Sequence, residues 1–348
     1  MKKLEKLFFI GVIINMILIF TSISCMVILV SSMSKMSENQ IEQPLDNGSP
    51  TTPTPTPEPE DTTPPAPKYY EMSADGKYIY FGEYPQSLKK SNVTIIGPSV
   101  VKDYYVGSDG ERYKKNGENY YKVEKLKWRI LKQADGKAFV VCDTVIDYFW
   151  EVYYEEAVQE SDTQTYYWND EPFDYEYSNL RKFLTRDFYD RAFNDNEKSI
   201  INLTEVDNSA SQTSEPDAEF NTKNTFDYVF ALSYAELTNS EYGFSTSVES
   251  DLSRIWKASD YSISRGCDTY TIEELMFDIQ GDFNHPSFNE WYQLVGNAFG
   301  IAMRTACSNQ WDLHLVTELG SIYARIGEGP TLELEYNRSI LPAMYINL

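Results

Sequence analysis

The sequence predicts an α+β fold, in which antiparallel sheets are covered by two adjacent amphipathic helices. Residues 178–204 carry two capped helical patterns in succession, hairpin signals are concentrated before residue 143, and strand patterns return after residue 313. Strands and helices are therefore segregated along the chain, which favours α+β over a doubly wound sheet.

The two helices are predicted from caps and apolar spacing. Ser178 can cap the first, because its hydroxyl accepts from free N–H groups of the first turn. The apolar face of this helix consists of Leu180, Phe183, Leu184 and Phe188. Asn194 and Glu197 form a capping pair for the second helix. The apolar side of the second helix consists of Ile200, Ile201 and Leu203.

Strands before the helices are predicted from turn residues. Tyr78–Phe81 is a short strand that Gly82 and Pro85 should end. Asp109-Gly110 and Asn116-Gly117 are turn signals among tyrosine-rich strands. Residues 128–131 and 138–142 form a hairpin through the turn Ala134-Asp135-Gly136-Lys137, and its second strand is apolar on both faces and therefore central.

After the helices, the pattern becomes less regular. We expect an exposed loop over 205–225, a buried strand over 229–232, and a helix from the Ser233–Glu236 capping box to about Tyr242. Residues 273–296 are aromatic without clear periodicity. The strands that close the domain are predicted at 313–316, 322–326, 332–336 and 341–346.

Leu7–Val30 is an apolar run without a charged residue. Its 24 residues exceed the length needed to cross a hydrocarbon core of roughly 30 Å. Lys2, Lys3 and Lys6 precede it, so residues 1–6 are expected in the cytoplasm and the rest of the chain outside. We predict a single-pass anchor in the cell membrane.

Two alternatives to the anchor remain open. A cleaved signal peptide is the first, although the apolar run is long and no A-x-A-like site follows it. A lipoprotein signal that uses Cys25 is the second, although Ser22 is a poor residue three places before the cysteine and the apolar run continues beyond it.

Residues 31–68 are rich in proline and threonine, including Thr51–Pro59. Proline removes backbone donors and favours extended chain, so this segment is predicted to be a disordered stalk. The globular domain is then predicted over 69–348.

The chain has 348 residues and a net charge of −23. Nucleic-acid binding needs a basic stripe that displaces counterions, and the sequence supplies none. We therefore expect no nucleic-acid partner.

Several motifs occur in a recognisable order. They are Tyr80–Gln86, Tyr120–Leu131, the helix that begins at Ser178, Asp227–Ser233 with Glu236, and Leu341-Pro342-Ala343. Together they resemble the bacterial family described as domain of unknown function 6273, over roughly 76–348. The resemblance implies an α+β domain related to C-type-lectin-like and formylglycine-enzyme-like folds, whose first and last strands meet. It implies no established activity.

Candidate ligand residues are exposed aromatics and unexplained arginines. Tyr167 and Trp168 lie between polar runs just before the first helix, and Trp311 is a further aromatic candidate. Arg181 stands in a first helical turn, where the helix dipole disfavours a cation. Either it pairs with an acid such as Glu176 or Asp187, or it points into a ligand pocket shared with Trp168 and Arg304.

The cysteines, histidines and clustered carboxylates indicate no catalytic site. Cys267 and Cys307 are the candidate disulfide pair, and buried thiols are the alternative. The two histidines lack metal-ligand spacing, so no metal site is predicted. Calcium is the one cofactor left open. Its carboxylate candidates are Asp170, Glu171, Asp174 and Glu176, and then Asp187, Asp190 and Asp195.

The sequence therefore predicts a membrane-tethered extracytoplasmic binding or structural domain whose partner is a glycan or protein of the cell envelope. The alternative is a cell-wall-associated hydrolase that uses acidic residues. No catalytic constellation is evident, so an enzyme is the less favoured reading.

Overall fold

A computed structural model of the chain describes residues 68–151, 175–214, 222–278, 280, 289, 292–306, 313–325 and 336–348. The predicted anchor at 7–30 and the predicted stalk up to residue 67 lie outside this part of the chain. Among the residues described, no helix is both long enough and apolar enough to cross a membrane.

The larger sheet is built on β6, Asn119–Ala134. One edge of β6 pairs with β2 (Tyr78–Leu88), whereas its other edge pairs first with β5 (Arg112–Asn116) and then with β7 (Lys137–Cys142). β17 (Ala343–Asn347) adds to the outer edge of β7, so this strand lies in the same sheet as β2. The other strands of this sheet and their bounds are β1 Glu71–Met72, β2 Tyr78–Leu88, β3 Ile95–Pro98, β4 Tyr105–Gly107, β5 Arg112–Asn116, β7 Lys137–Cys142 and β17 Ala343–Asn347.

A second sheet has the strand order β15-β14-β13-β16-β9. Its strands are β9 Asp147–Glu151, β13 Ile301–Ala306, β14 Leu313–Val316, β15 Ile322–Arg325 and β16 Tyr336–Ile340. Two small pairs complete the strands described, β8 Thr144–Val145 with β12 Lys257–Ala258, and β10 Thr204–Val206 with β11 Thr225–Asp227. Pairing is mostly antiparallel, as predicted, but β8–β12 and β13–β16 are parallel.

The first predicted helix is continuous and contains a π-helical segment. Asn179–Lys182, Phe183–Phe188 and Tyr189–Ala192 follow one another without a break and are called α1 here. Thr185 Oγ1 donates to Arg181 O within this helix at 2.8 Å. The other α-helices described are α2 Asp195–Ile200, α3 Tyr234–Leu237, α4 Asp260–Arg265 and α5 Ile272–Asp278.

The predicted helix caps are confirmed. Ser178 Oγ accepts from Arg181 N at 3.1 Å, and both reciprocal bonds of the Asn194–Glu197 capping box are present. The Ser233–Glu236 capping box is present as well. The four apolar residues predicted for the face of α1 are all buried, and they pack in the core with the strands of the larger sheet. The α+β class and the amphipathic first helix are therefore confirmed, whereas α2 has no buried residue within its bounds.

The strand predicted to end at Gly82 continues to Leu88. The register with β6 shifts between Tyr80 and Glu83, which is a β-bulge, and Gly82 takes φ +67° there. A glycine that adopts positive φ bends a strand without ending it. A Cβ on Gly82 would lie 2.5 Å from the Phe193 ring, so the bulge also lets α1 approach the sheet closely.

Predictions after α2 needed more correction. The strand lies at Thr225–Asp227, whereas residues 229–232 are buried and pair with β17 through an isolated bridge, Phe230 with Ala343. The expected loop after Leu203 begins with β10, and Leu203 itself is 55% exposed rather than part of an apolar helix face. α3 ends at Leu237, and α5 occupies part of a segment without predicted periodicity. These short elements depend on partners distant in sequence, so local periodicity did not reveal them.

Candidate functional site

The candidate site is a cleft of about 550 Å³ between β10 and α3, called the Arg304 cleft below. Its lining comes from five separate segments of the chain. The lining residues are Lys137, Asn202, Leu203, Thr204, Glu205, Val206, Asp207, Gln212, Phe230, Ala235, Glu236, Asn239, Tyr242, Arg304 and Tyr345. The volume lies within the range of about 300–1,000 Å³ that is usual for ligand pockets.

Arg304 and Glu236 form the polar floor of the cleft. Arg304 lies on β13 and is only 2% exposed. Both of its Nη atoms donate to the Glu236 carboxylate, Nη2 to Oε1 at 3.1 Å and Nη1 to Oε2. Glu236 is held in place because the capping box of α3 fixes it, with Ser233 N donating to Oε2 at 2.8 Å. The pair is bidentate and buried, a geometry that arginine and carboxylate match well.

The guanidinium of Arg304 also organises the backbone around the cleft. Nη1 donates to Ala231 O at 2.9 Å, and Nη2 donates to Asp207 O at 3.3 Å. Its Cζ lies 5.5 Å from the centroid of the Phe230 ring. Arg304 therefore joins β13, α3 and the end of β10, and its donors are largely committed to the protein.

The aromatic side of the cleft is Tyr345 and Tyr242. Tyr345 stacks on Phe139 with ring centroids 4.5 Å apart. Burial raises the pKa of Tyr345, and the neighbouring Tyr242 adds to the rise, so its hydroxyl stays protonated over the physiological range. Each ring thus presents an apolar face and a hydroxyl group to the cleft, as sugar- and peptide-binding surfaces do.

Asp207 at the end of β10 remains ionised. Burial by itself would raise its pKa, but hydrogen bonds from Ser209, Ser211 and Gln212 hold the pKa below its usual value. Ser209 N donates to its Oδ1 at 2.9 Å. A carboxylate held in this way accepts hydrogen bonds and does not serve as a proton donor at neutral pH.

Arg181 does not line the cleft. Its Nη2 lies 2.8 Å from Asp227 Oδ1, and Nε donates to both Asp227 oxygens at 2.9 and 3.0 Å. Its Nη1 donates to the backbone carbonyl of Glu176 at 2.9 Å. An acid does pair with Arg181, but it is the buried Asp227 rather than the suggested carboxylates of Glu176 or Asp187. Asp227 lies in β11, and Arg304 contacts the residue that follows β10. Arg181 and Arg304 therefore bind opposite strands of the β10–β11 pair.

The other candidate residues are only partly described. Tyr167, Trp168, Trp311 and Cys307 lie outside the described residues, so their roles stay predictions. Cys267 is buried, and its Sγ lies 3.0 Å from Ser339 Oγ.

The calcium prediction also stays open. Asp170, Glu171 and Asp174 lie outside the described residues, and Asp190 Oδ1 accepts from Lys198 Nζ at 2.7 Å. Within the part of the chain that the structure describes, no three His, Cys, Asp or Glu side chains are grouped to hold a metal ion.

Sequence reasoning missed most of the cleft. The sequence predicted Tyr345 as part of a closing strand and Lys137 as a hairpin residue. Glu236 was recognised only as a helix cap, although the capping box is the local signal that fixes its position. Lining residues as distant as 137 and 345 become neighbours only through the pairing of β7 with β17.

Comparisons with known proteins identify one segment of the chain. No curated protein and no solved structure matches the chain. Residues 135–270 match the family model described as "Domain of unknown function (DUF6273)". The match contains α1, the β10–β11 hairpin and α3, whereas the motifs before residue 135 and after residue 340 lie outside it. The resemblance seen in the motifs is therefore confirmed over residues 135–270, the segment that matches this domain of unknown function.

Proposed function

We propose that this protein is a membrane-tethered extracytoplasmic binding domain whose ligand, a glycan or protein of the cell envelope, occupies the Arg304 cleft. The observation that carries the proposal is the cleft itself, which combines two tyrosine rings with a rigid buried ion pair. Preformed clefts with aromatic walls and a few fixed polar groups are typical of ligand sites.

The proposed location rests on the N-terminal sequence. The apolar run at 7–30 follows three lysines and precedes the proline-rich segment, an order that suits an anchor and a stalk with the domain outside. Protease added to intact cells is expected to cut within 31–67 and release a soluble domain. Protection of that segment, with cleavage only after lysis, would place the domain on the other side of the membrane.

The finer fold assignment is also a proposal. We infer a C-type-lectin-like or formylglycine-enzyme-like arrangement, and the support is that β2 and β17 belong to one sheet. An experimental structure of the domain that superposes on neither fold would contradict it.

Binding is favoured over the hydrolase alternative by the state of two of the three acids that line the cleft. Glu236 is tied to Arg304 and to the α3 cap, and Asp207 is held ionised by its hydrogen bonds. Acid-catalysed glycoside cleavage needs one carboxyl group that can donate a proton. These two side chains are better suited to shaping a ligand site.

A pull-down with envelope material tests the proposal. The full chain in detergent is expected to retain envelope material and to leave it chemically unaltered, whereas a hydrolase would release soluble fragments. Leu203→Asn should reduce retention at least fivefold, because Leu203 lines the cleft, the change removes apolar contact without changing the charge, and the position is exposed enough to be replaced without unfolding. The matched control is Leu252→Asn, at an 81% exposed position outside the cleft. Equal retention by both variants would place the ligand elsewhere.

A further inference from the structure

One wall of the Arg304 cleft is the edge of a β-strand. Six consecutive residues, 202–207, all line the cleft. Because successive side chains of a strand point to opposite faces, such a run lines a cavity only where the strand turns its edge towards it. The opposite edge of β10 is the one that pairs with β11, with Glu205 facing Phe226.

The backbone just before β10 begins to pair with β17, but this pairing does not continue along β10. Asn202 N donates to Tyr345 O at 2.8 Å, and Ile201 forms a bridge with Ile346. Further along β17, the pairing partner is Phe230 instead. Phe230 N donates to Ala343 O at 2.9 Å, and Ala343 N donates to Phe230 O at 2.8 Å. Over Thr204–Val206, within the described residues, the ladder partner of β10 is β11 alone. An unpaired strand edge is a template for a further strand.

The dimensions of the cleft suit an extended chain. The wall 202–207 consists of the three residues of β10 and their neighbours, and at the usual strand rise six residues span about 17 Å. Tyr242 and Tyr345 also line the cleft and can pack against alternate side chains of a strand laid along β10. Extended peptides that add to a sheet edge are bound in this way, with main-chain hydrogen bonds for affinity and adjacent pockets for side chains.

The charge of the β10 wall indicates which peptide would fit. Glu205 is exposed and Asp207 is held ionised on the β10 wall, Lys137 is a cation elsewhere in the lining, and the charge of Arg304 is compensated by Glu236. The strand edge is therefore acidic, in a chain whose net charge is −23. Such a surface attracts cationic partners and repels anionic ones.

We propose that the Arg304 cleft binds an extended, basic peptide segment of an envelope protein, which adds to the outer edge of β10 as a third strand of the β10–β11 sheet. This inference rests on the proposed function and narrows its ligand from glycan or protein to a peptide strand.

The first test separates the two levels of the proposal. The full chain, immobilised in detergent, is incubated with envelope material that is untreated, digested with a broad-specificity protease, or digested with glycan hydrolases. Retention should be lost after proteolysis and persist after glycan digestion. Retention that survives proteolysis and is lost on glycan digestion would overturn the peptide inference and leave the binding function intact. No retention of any sample would refute the proposed function itself.

The second test locates the binding at β10 with a defined probe, the capped octapeptide acetyl-(Lys-Val)₄-amide at millimolar concentration. Backbone amide exchange within 203–206 of the full chain should slow at least tenfold, while exchange at the distant Asp109-Gly110 turn should not change. The same peptide N-methylated at every amide should have no effect, because it cannot donate to β10. Equal slowing by both peptides, or slowing by neither, would overturn strand addition.

A charge reversal supplies the matched variants. Glu205→Lys should weaken binding of the octapeptide at least tenfold, because it places a cation on the proposed edge. Glu118→Lys changes the net charge equally at an exposed turn far along the chain and should bind as the parent does. Equal loss in both variants would mean that only the overall charge of the protein attracts the peptide, and would contradict a site at β10.

Discussion

Replacing Arg181 by alanine removes the charged partner of a buried carboxylate. Asp227 is 1% exposed, and three nitrogen–oxygen distances of 2.8–3.0 Å join it to the Arg181 guanidinium. The same substitution removes the bond from Nη1 to Glu176 O. Arg181→Ala therefore leaves Asp227 charged, buried and short of donors.

The expected cost follows from what remains around Asp227. Removing one partner of a buried ion pair costs about 3–5 kcal/mol. Thr225 Oγ1 still donates to Asp227 Oδ2 at 2.7 Å, and the Arg181 side chain is 26% exposed, so water can replace part of it. We therefore expect a loss near the lower limit, about 3 kcal/mol in the free energy of unfolding.

Urea denaturation of the full chain in detergent measures this change. With a slope of about 3 kcal/mol per molar urea, the midpoint should fall by about 1 M. Arg186→Ala is the matched control, since Arg186 is exposed on the same helix and its loss should cost under about 0.5 kcal/mol. Adding Asp227→Asn to Arg181→Ala should recover about 1–2 kcal/mol, because the stranded charge is removed.

A midpoint for Arg181→Ala equal to that of Arg186→Ala would refute the structural role of the ion pair. If stability were unchanged and envelope retention were lost, Arg181 would be a ligand residue. Loss of stability without a specific loss of retention is the outcome expected from the geometry.

Three further predictions follow from buried groups. Arg254 is fully buried and donates to five backbone carbonyls. Arg254→Leu should therefore lower the free energy of unfolding, measured by urea denaturation, by about 4 kcal/mol or more. Arg254→Lys should not restore the parent stability, because lysine lacks the guanidinium fork. Gly82→Ala should cost about 2–4 kcal/mol, from positive φ and from the clash with Phe193; a midpoint within error of the parent would contradict the close approach. Burial raises the pKa of Tyr104 from 10.0 to about 12. The folded state therefore holds this proton more tightly, so the contribution of Tyr104 to stability should be level below pH 10 and fall by about 2 kcal/mol as the pH rises from 10 to 12, in addition to the contributions of other buried tyrosines. Tyr104→Phe should flatten that fall, and an unchanged slope in the variant would assign it to other groups.

The sequence by itself determined the features whose partners lie within about four residues. The caps at Ser178, Asn194 and Ser233 and the two-residue turn at Asp135-Gly136 were all predictable, because each hydrogen bond or backbone requirement involves near neighbours. The buried face of α1 was predictable for the same reason, since helical spacing brings its apolar residues together. Segregation of strands and helices then indicated the α+β class.

Tertiary structure decided which distant groups meet. Arg181 needed an acid, but the sequence offered many, and only the placement of β11 beside α1 selects Asp227, 46 residues away. Gly82 continues a strand because β6 pairs with β2 on both sides of the bulge. The Arg304 cleft requires β17 to add to β7 and α3 to pack near β13, which brings residues 137, 236, 304 and 345 together. Local sequence patterns specify the faces and ends of helices and strands. A site built from several elements is specified by long-range strand pairing. The free energy of that pairing is shared among many contacts, so it leaves no signal at any one position in the sequence.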